Sequence, residues 1–168
     1  VPSMITHILK NQRKCDMHDL SSMKTIFTGG ASFDIESARE IKRKYPSWDI
    51  RHSYGLTETS AVISYTPRND IFWGSSGCLI PGVKIKLLSA DGEEINEYDQ
   101  PGELIVQSPS VMLGYFNDNP ANKEIFIADS SNEGKWIRTG DEALIRKSEG
   151  GNEHLFIIER IEEIIRVK

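Results

Sequence analysis

Six consecutive residues, Tyr54-Gly55-Leu56-Thr57-Glu58-Thr59, bring together an aromatic ring, a glycine, hydroxyls and a carboxylate. A glycine lets the backbone turn sharply and come close to a ligand. Thr57 can hydrogen-bond a phosphate. Glu58 can hold Mg²⁺, which takes carboxylate oxygens together with phosphate oxygens. Tyr54 offers a flat face to a purine. A capped turn without a ligand explains the same six residues equally well, since ligands bind at only some strand-end loops. A second stretch, Trp136-Ile137-Arg138-Thr139-Gly140-Asp141, places an aspartate beside a glycine, where it can accept hydrogen bonds from both hydroxyls of a ribose. Taken alone, it reads more simply as a Gly-Asp turn. A third, Phe156-Ile157-Ile158-Glu159-Arg160, is an apolar run entering a charged pair. The fork of Arg160 matches ribose or phosphate oxygens, and a surface ion pair is the simpler alternative.

The elements that must position these residues follow from periodicity. Ile5, Ile8 and Leu9 stand at helical spacing within residues 1–10. A short strand is expected over Lys24 to Thr28, with a turn at Gly29-Gly30. Ser32 or Asp34 then caps a helix running to Tyr45, with Ile35, Ala38 and Ile41 on one face. Its acids come early and its bases late, as the helix dipole favours, and Pro46 stops it. A strand near Asp49 to Ser53 completes a β-α-β segment of an open sheet, so the first three chemical residue types above sit just past a strand end. From about Ala61 the pattern turns to β. Val83 to Leu87 alternates, Gly102 to Gln107 is a strand, and further strands are expected over Glu142 to Arg146 and Leu155 to Glu159. Asp91-Gly92 reads as a tight hairpin turn with positive φ at both central residues. The fold class is therefore α/β, α+β overall: an open-sheet segment followed by a distorted β-barrel or small sheet. The divisions expected from the pattern are 1–60 and a mainly β part from 61 to 158.

Composition narrows the function classes. The 168 residues carry a net charge of −5, which gives no electrostatic reason to expect nucleic acid. No apolar run approaches the roughly 18 residues of a membrane-spanning helix, and residues 1–4 lack the features of a secretory signal. Cys15 and Cys78 are too few for a disulfide framework, and the four histidines lack metal-ligand spacing.

The three stretches, in this order, resemble motifs of the adenylate-forming superfamily of acyl- and aryl-CoA ligases, luciferases and peptide-synthetase adenylation domains. Gly102 to Val106 running on to Gly114-Tyr115-Phe116 resembles another motif of that family. Gly29-Gly30-Ala31 resembles the Gly-Gly-Ala stretch that lines its nucleotide and acyl pocket. The resemblance covers about Met23 to Lys168. It implies that Tyr54 stacks on adenine, Thr57 binds phosphate, Glu58 holds Mg²⁺, Asp141 binds the ribose diol and Arg160 contacts the ribose or phosphate side. Gly29, Gly30, Ala31, His52, Ser53 and Gly55 would complete the nucleotide pocket. The implied substrates are ATP (leaving as AMP), a carboxylic acid and CoA, in an intracellular setting, cytoplasmic or peroxisomal. The form Tyr-Gly-Leu-Thr-Glu favours an acid–CoA ligase over a carrier-loading or luciferase-like enzyme, with a non-catalytic nucleotide-binding module as the further alternative.

Several family features are changed or missing. His52-Ser53 stands where Gln-Gly is frequent, which bears on the adenine edge and part of the acyl pocket. Glu159 replaces the usual hinge aspartate, and Glu162 stands where many relatives carry lysine. The family's phosphate loop and its adenylating lysine lie outside these residues. The run Ile164-Ile165-Arg166-Val167-Lys168 reads as a cut edge of a larger domain. The expectation is an internal fragment that is inactive alone and self-associates through surfaces exposed by truncation.

Overall fold

The computed structural model describes residues 2–30, 35–127 and 134–161. The caps expected at Ser32 and Asp34, together with Ala31 and the hinge beyond residue 161, lie outside the described residues. The first part contains helices α1 (Pro2–Lys10) and α2 (Gln12–Cys15), strand β1 (Thr25–Gly29), helix α3 (Ile35–Lys44) and strand β2 (Asp49–Tyr54). Strands β1 and β2 pair in parallel, from Thr25 opposite Asp49 to Gly29 opposite Ser53. Parallel neighbours need a crossover, and α3 supplies it. Ala38 and Ile41 are buried on its inner face. Ile41 packs with Ile5, Trp48 and Ile50 in a small core. Tyr45 closes the last turn through its N–H to Ile41 O (2.8 Å) without being helical itself. The residue before a proline is pushed away from the helical region, and the freed ring stacks on Trp48 at 4.0 Å.

After β2 the chain reverses through a 3-10 turn, Thr57–Thr59, and returns as β3 (Ser64–Tyr65) and β4 (Cys78–Leu79). Both join the first sheet, in the order β1-β2-β3-β4. That sheet therefore runs well past residue 60. The expected change to β pattern near Ala61 is where the chain turns back beside β2, with Ile63 N–H bonded to Tyr54 O (2.9 Å) and Thr66 N–H to His52 O (2.8 Å).

The second sheet is antiparallel and curls into a half-barrel. It contains β5 (Lys84–Leu88), β6 (Glu94–Ile95), β7 (Gly102–Gln107), β8 (Phe126–Ile127), β9 (Trp136–Lys147) and β10 (Glu153–Arg160), with helix α4 (Asn119–Ile125) before β8. The strand order is β10-β9-β7-β5-β6, and β8 pairs with β9. The β5–β6 connection bends at Gly92, whose φ is +84°, and no positive φ is found at Asp91. The turn thus needs one left-handed residue where the sequence suggested two. Strand β9 is longer than expected and takes in the whole Trp136–Asp141 stretch. A register shift between β7 and β9 coincides with this stretch, and Gly140 with φ +70° supplies the bend. Ile63, Leu87, Leu104, Val106, Ile137, Ala143 and Leu155 form the core beneath this sheet.

Leu104 is fully buried at the centre of that core. Leu104→Ala is expected to cost about 2–5 kcal/mol of stability, read as a lower urea midpoint with an unchanged slope.

Candidate functional site

The two sheets meet along a cleft of about 490 Å³. One wall comes from the end of the first sheet: Gly30, His52, Ser53, Tyr54 and Gly55. The opposite wall is Asp141 of β9 with Ile157 to Arg160 of β10. The segment from Ile71 to Ser76 closes the back. Seven of the residues singled out in the sequence therefore face one space, although they lie as far apart as positions 30 and 160.

Asp141 is the junction. It is only 3% exposed, and a buried carboxylate needs partners. The Tyr54 hydroxyl donates a short hydrogen bond to Oδ2, and Arg160 Nε lies 3.1 Å from Oδ1. The Asp141 N–H donates to Thr139 Oγ1 (3.1 Å), whose own hydroxyl donates to Leu104 O (2.8 Å). Burial, then the bond to Asp141 and its charge, raise the Tyr54 phenol well above the ordinary tyrosine range. Tyr54 is thus a fixed, protonated donor whose ring lines the cleft. Arg160 forms the ion pair that its sequence context suggested, and its partner is the buried Asp141, not a surface acid.

Gly55 is required by close approach. A Cβ there would lie 1.5 Å from Ala61 O, so any side chain would block the returning loop. Thr57 and Glu58 follow in the 3-10 turn after the lining residue Leu56, Thr57 exposed and Glu58 half-buried. They do not line the cleft itself. Gly29 ends β1 against Ser53, with no room for a Cβ (2.8 Å to Ser53 O), and it too stays out of the lining.

The sequence reading missed how the turn is held. Tyr115 Oη donates to Glu58 Oε1 at 2.7 Å, and Met112 N–H donates to Glu58 O at 2.8 Å. Ser60 Oγ donates to Ser110 O (2.9 Å) and Ser110 Oγ to Thr59 O (2.8 Å). The 108–116 loop is therefore strapped onto the Thr57–Thr59 turn. Tyr115 stood in a recognised stretch, but nothing local signals a partner 57 positions earlier. Phe72, Trp73, Ser75 and Ser76 were also missed; their only sequence signal is a pair of serines between Gly74 and Gly77.

The donor set suits a hard cation shared with a ligand. Glu58 is half-buried and accepts the Tyr115 hydroxyl at Oε1. Among the described residues no group of three His, Cys, Asp or Glu side chains converges. One carboxylate acting together with phosphate oxygens is a usual arrangement for Mg²⁺.

The AMP-binding enzyme family model matches residues 1–116. The chain belongs to that family. An acyl-CoA ligase from Alternaria alternata is 44% identical over the whole of this chain, and one from Emericella nidulans is 41% identical. The chain spans 29% of the length of each. Among solved structures, a long-chain-fatty-acid–CoA ligase from Archaeoglobus fulgidus superposes with a TM-score of 0.80 at 21% identity. That match covers 96% of this chain and 33% of the other, and it establishes the likeness of fold. The o-succinylbenzoate coenzyme A synthetase of Bacillus subtilis in complex with AMP gives 0.72 at 26% identity, over 96% of this chain and 30% of that one.

The Tyr115 phenol is pushed up to about 12, first by its bond to Glu58 and then by burial. A proton held more tightly in the folded state stabilises it below pH ~10, and that contribution is lost as the pH rises through the folded value. Ultraviolet phenolate titration should show one tyrosine with a midpoint near 12 that Tyr115→Phe removes. Glu58→Gln should move that midpoint down toward the ordinary value of ~10.

Proposed function

We propose that the protein containing this chain is an ATP-dependent, AMP-forming acid–CoA ligase, and that this chain supplies its nucleotide grip. The observation that carries the reading is the meeting of Tyr54, Asp141 and Arg160 in one cleft, with Thr57 and Glu58 in the turn that follows its lining residue Leu56. The acyl-CoA ligases among the relatives support it, as does the AMP held by the B. subtilis synthetase.

Each role follows from the chemistry of the side chain. The Tyr54 ring gives adenine a flat, rigid face, because Asp141 holds its hydroxyl. Asp141 retains lone pairs beyond those used by Tyr54 and Arg160, and these accept from the ribose hydroxyls. The Arg160 fork presents further donors to ribose or phosphate oxygens. Thr57 donates its hydroxyl to a phosphate oxygen, and Glu58 provides a carboxylate for Mg²⁺. When bound, Mg²⁺ would neutralise phosphate charge during transfer. Gly30, His52, Ser53 and Gly55 shape the pocket around base and acyl group.

The reaction needs no general base in its first half. A carboxylate oxygen of the acid attacks the α-phosphorus of ATP, the bond to the β-phosphate oxygen breaks, and pyrophosphate leaves. The CoA sulfur then attacks the acyl carbon, its proton passes to solvent, and AMP leaves with the bonding electron pair. Positioning and charge neutralisation therefore account for the catalysis. No helix among the described residues is long and apolar enough to cross a membrane. Cytoplasm or peroxisome is the proposed compartment, and 159–168 the proposed start of an interdomain hinge.

The test is acid-dependent exchange of labelled pyrophosphate into ATP by the full-length protein, with a panel of fatty and aromatic acids. Exchange with at least one acid is expected. Asp141→Asn should raise the KM for ATP about tenfold or more, as expected for weakened hydrogen bonds to a charged acceptor. Glu58→Gln should lower kcat and raise the Mg²⁺ requirement. Mg-ATP binding without exchange for any acid would overturn the ligase reading in favour of a binding module.

A further inference from the structure

A buried polar chain runs behind the cleft and takes no part in the chemistry above. His154 of β10 is fully buried. Its Nδ1 lies 2.9 Å from Ser75 Oγ, and its Nε2 lies 3.2 Å from Asp70 Oδ2. The same Asp70 oxygen accepts from Ser148 Oγ and Asn152 Nδ2, each at 2.6 Å. Ser75 Oγ in turn accepts from the Gly77 N–H at 3.1 Å.

These contacts select one proton arrangement. Hydrogen bonds from Ser148 and then Asn152 draw the Asp70 carboxyl down to about 2, so at neutral pH it is an acceptor only. Imidazole Nε2 must then carry the proton, which leaves Nδ1 to accept from the Ser75 hydroxyl. The Ser75 oxygen keeps a lone pair for Gly77, so the imidazole, the Ser75 hydroxyl and the Gly77 N–H are all satisfied, as burial demands.

The chain ties the back of the cleft to β10. Phe72 packs edge-on against His154 (5.5 Å) and Phe156 (5.0 Å). Ser76 N–H donates to Leu155 O (2.7 Å) and Leu155 N–H to Gly77 O (2.9 Å). Phe72, Ser75 and Ser76 line the cleft, and so does Arg160, six residues beyond His154 on the same strand.

We propose that Asp70, His154 and Ser75 form a clasp that positions the Phe72–Ser76 wall of the cleft and thereby sets its fit to the nucleotide. The inference rests on the functional reading above for the identity of the ligand, but not for the clasp itself. All three are positioning residues. The order serine–histidine–aspartate is also that of a nucleophilic relay. Here, however, Ser75 is 3% exposed, and the neighbouring Gly77 N–H is spent on the serine oxygen itself.

The experiment compares Ser75→Thr with Ser75→Val in the full-length protein. The two have the same shape, and only Thr keeps the hydroxyl. Thr should hold Mg-ATP affinity within about threefold, whereas Val, leaving buried partners unpaired, should weaken it about tenfold or more. Histidine-selective ¹⁵N NMR gives an independent signature. The His154 signal, identified by its loss in His154→Gln, should show protonated Nε2 and bare Nδ1, and Ser75→Val should shift the Nδ1 resonance. A lower melting temperature with unchanged affinity in Ser75→Val would overturn the clasp, as would the opposite tautomer or labelling of Ser75 by a fluorophosphonate. If Ser75→Val does not fold, Ser75→Ala replaces it, and the wild-type tautomer still decides. Wild-type protein that fails to bind Mg-ATP but shows the Nε2–H tautomer would count against the functional reading and leave the clasp standing.

Discussion

The architecture depends on one buried carboxylate. An acid such as Asp141 cannot be taken out of water without compensating hydrogen bonds and charge. Here the compensation comes from two directions: the hydroxyl of Tyr54 at the end of β2 in the first sheet, and the guanidinium of Arg160 at the end of β10 in the second. Satisfying Asp141 therefore requires the two sheets to meet, and the cleft lies where they do. The residues that stabilise the junction are also ones that line the cleft. A weakened junction would be felt in the cleft as well as in the fold.

Around that junction the irregular parts are held by side chains reaching across long sequence separations. The turn after β2 is fixed by Ser110 and Tyr115 from the loop after β7. The back wall is fixed by β10 through Ser75 and His154. Loops expose backbone groups that water would otherwise solvate, and binding loops are ordered only when a rigid scaffold holds them. Two antiparallel or parallel sheets alone would leave the 56–61 and 70–77 segments without fixed geometry. The cross-links supply it without adding regular secondary structure.

Much of the local structure was legible from residue types. The amphipathic spacing of Ile35, Ala38 and Ile41 and the stop at Pro46 located α3 to within a residue or so at its C-terminal end. The alternation through Val83–Leu87 and Gly102–Gln107 located β5 and β7. Three readings needed adjustment. Gly92 bends its turn alone, because the neighbouring Asp91 can stay in the ordinary region when only one left-handed residue is needed. The Trp136–Asp141 stretch lies inside β9, because a glycine at a register shift bends a strand without ending it. The first sheet also reaches to Leu79, since two-residue strands leave no periodicity to read.

Chemistry was written locally and geometry was not. Tyr54, Thr57, Glu58, Asp141 and Arg160 were identifiable because each sits in a short stretch whose residue types limit what it can do. That Tyr54, Asp141 and Arg160 form one linked unit, while Thr57 and Glu58 stand outside the cleft wall, depends on contacts between residues up to 87 positions apart. The partners Tyr115, Ser75, His154 and Asp70 were invisible for the same reason: a hydroxyl or an imidazole acquires its role from what burial places beside it. Propensity and patterning act over a few residues, so the sequence alone determined the elements and the candidate chemical groups. Pairing of buried polar atoms acts through space, so only the tertiary structure decided which groups share a site and which hold it in shape.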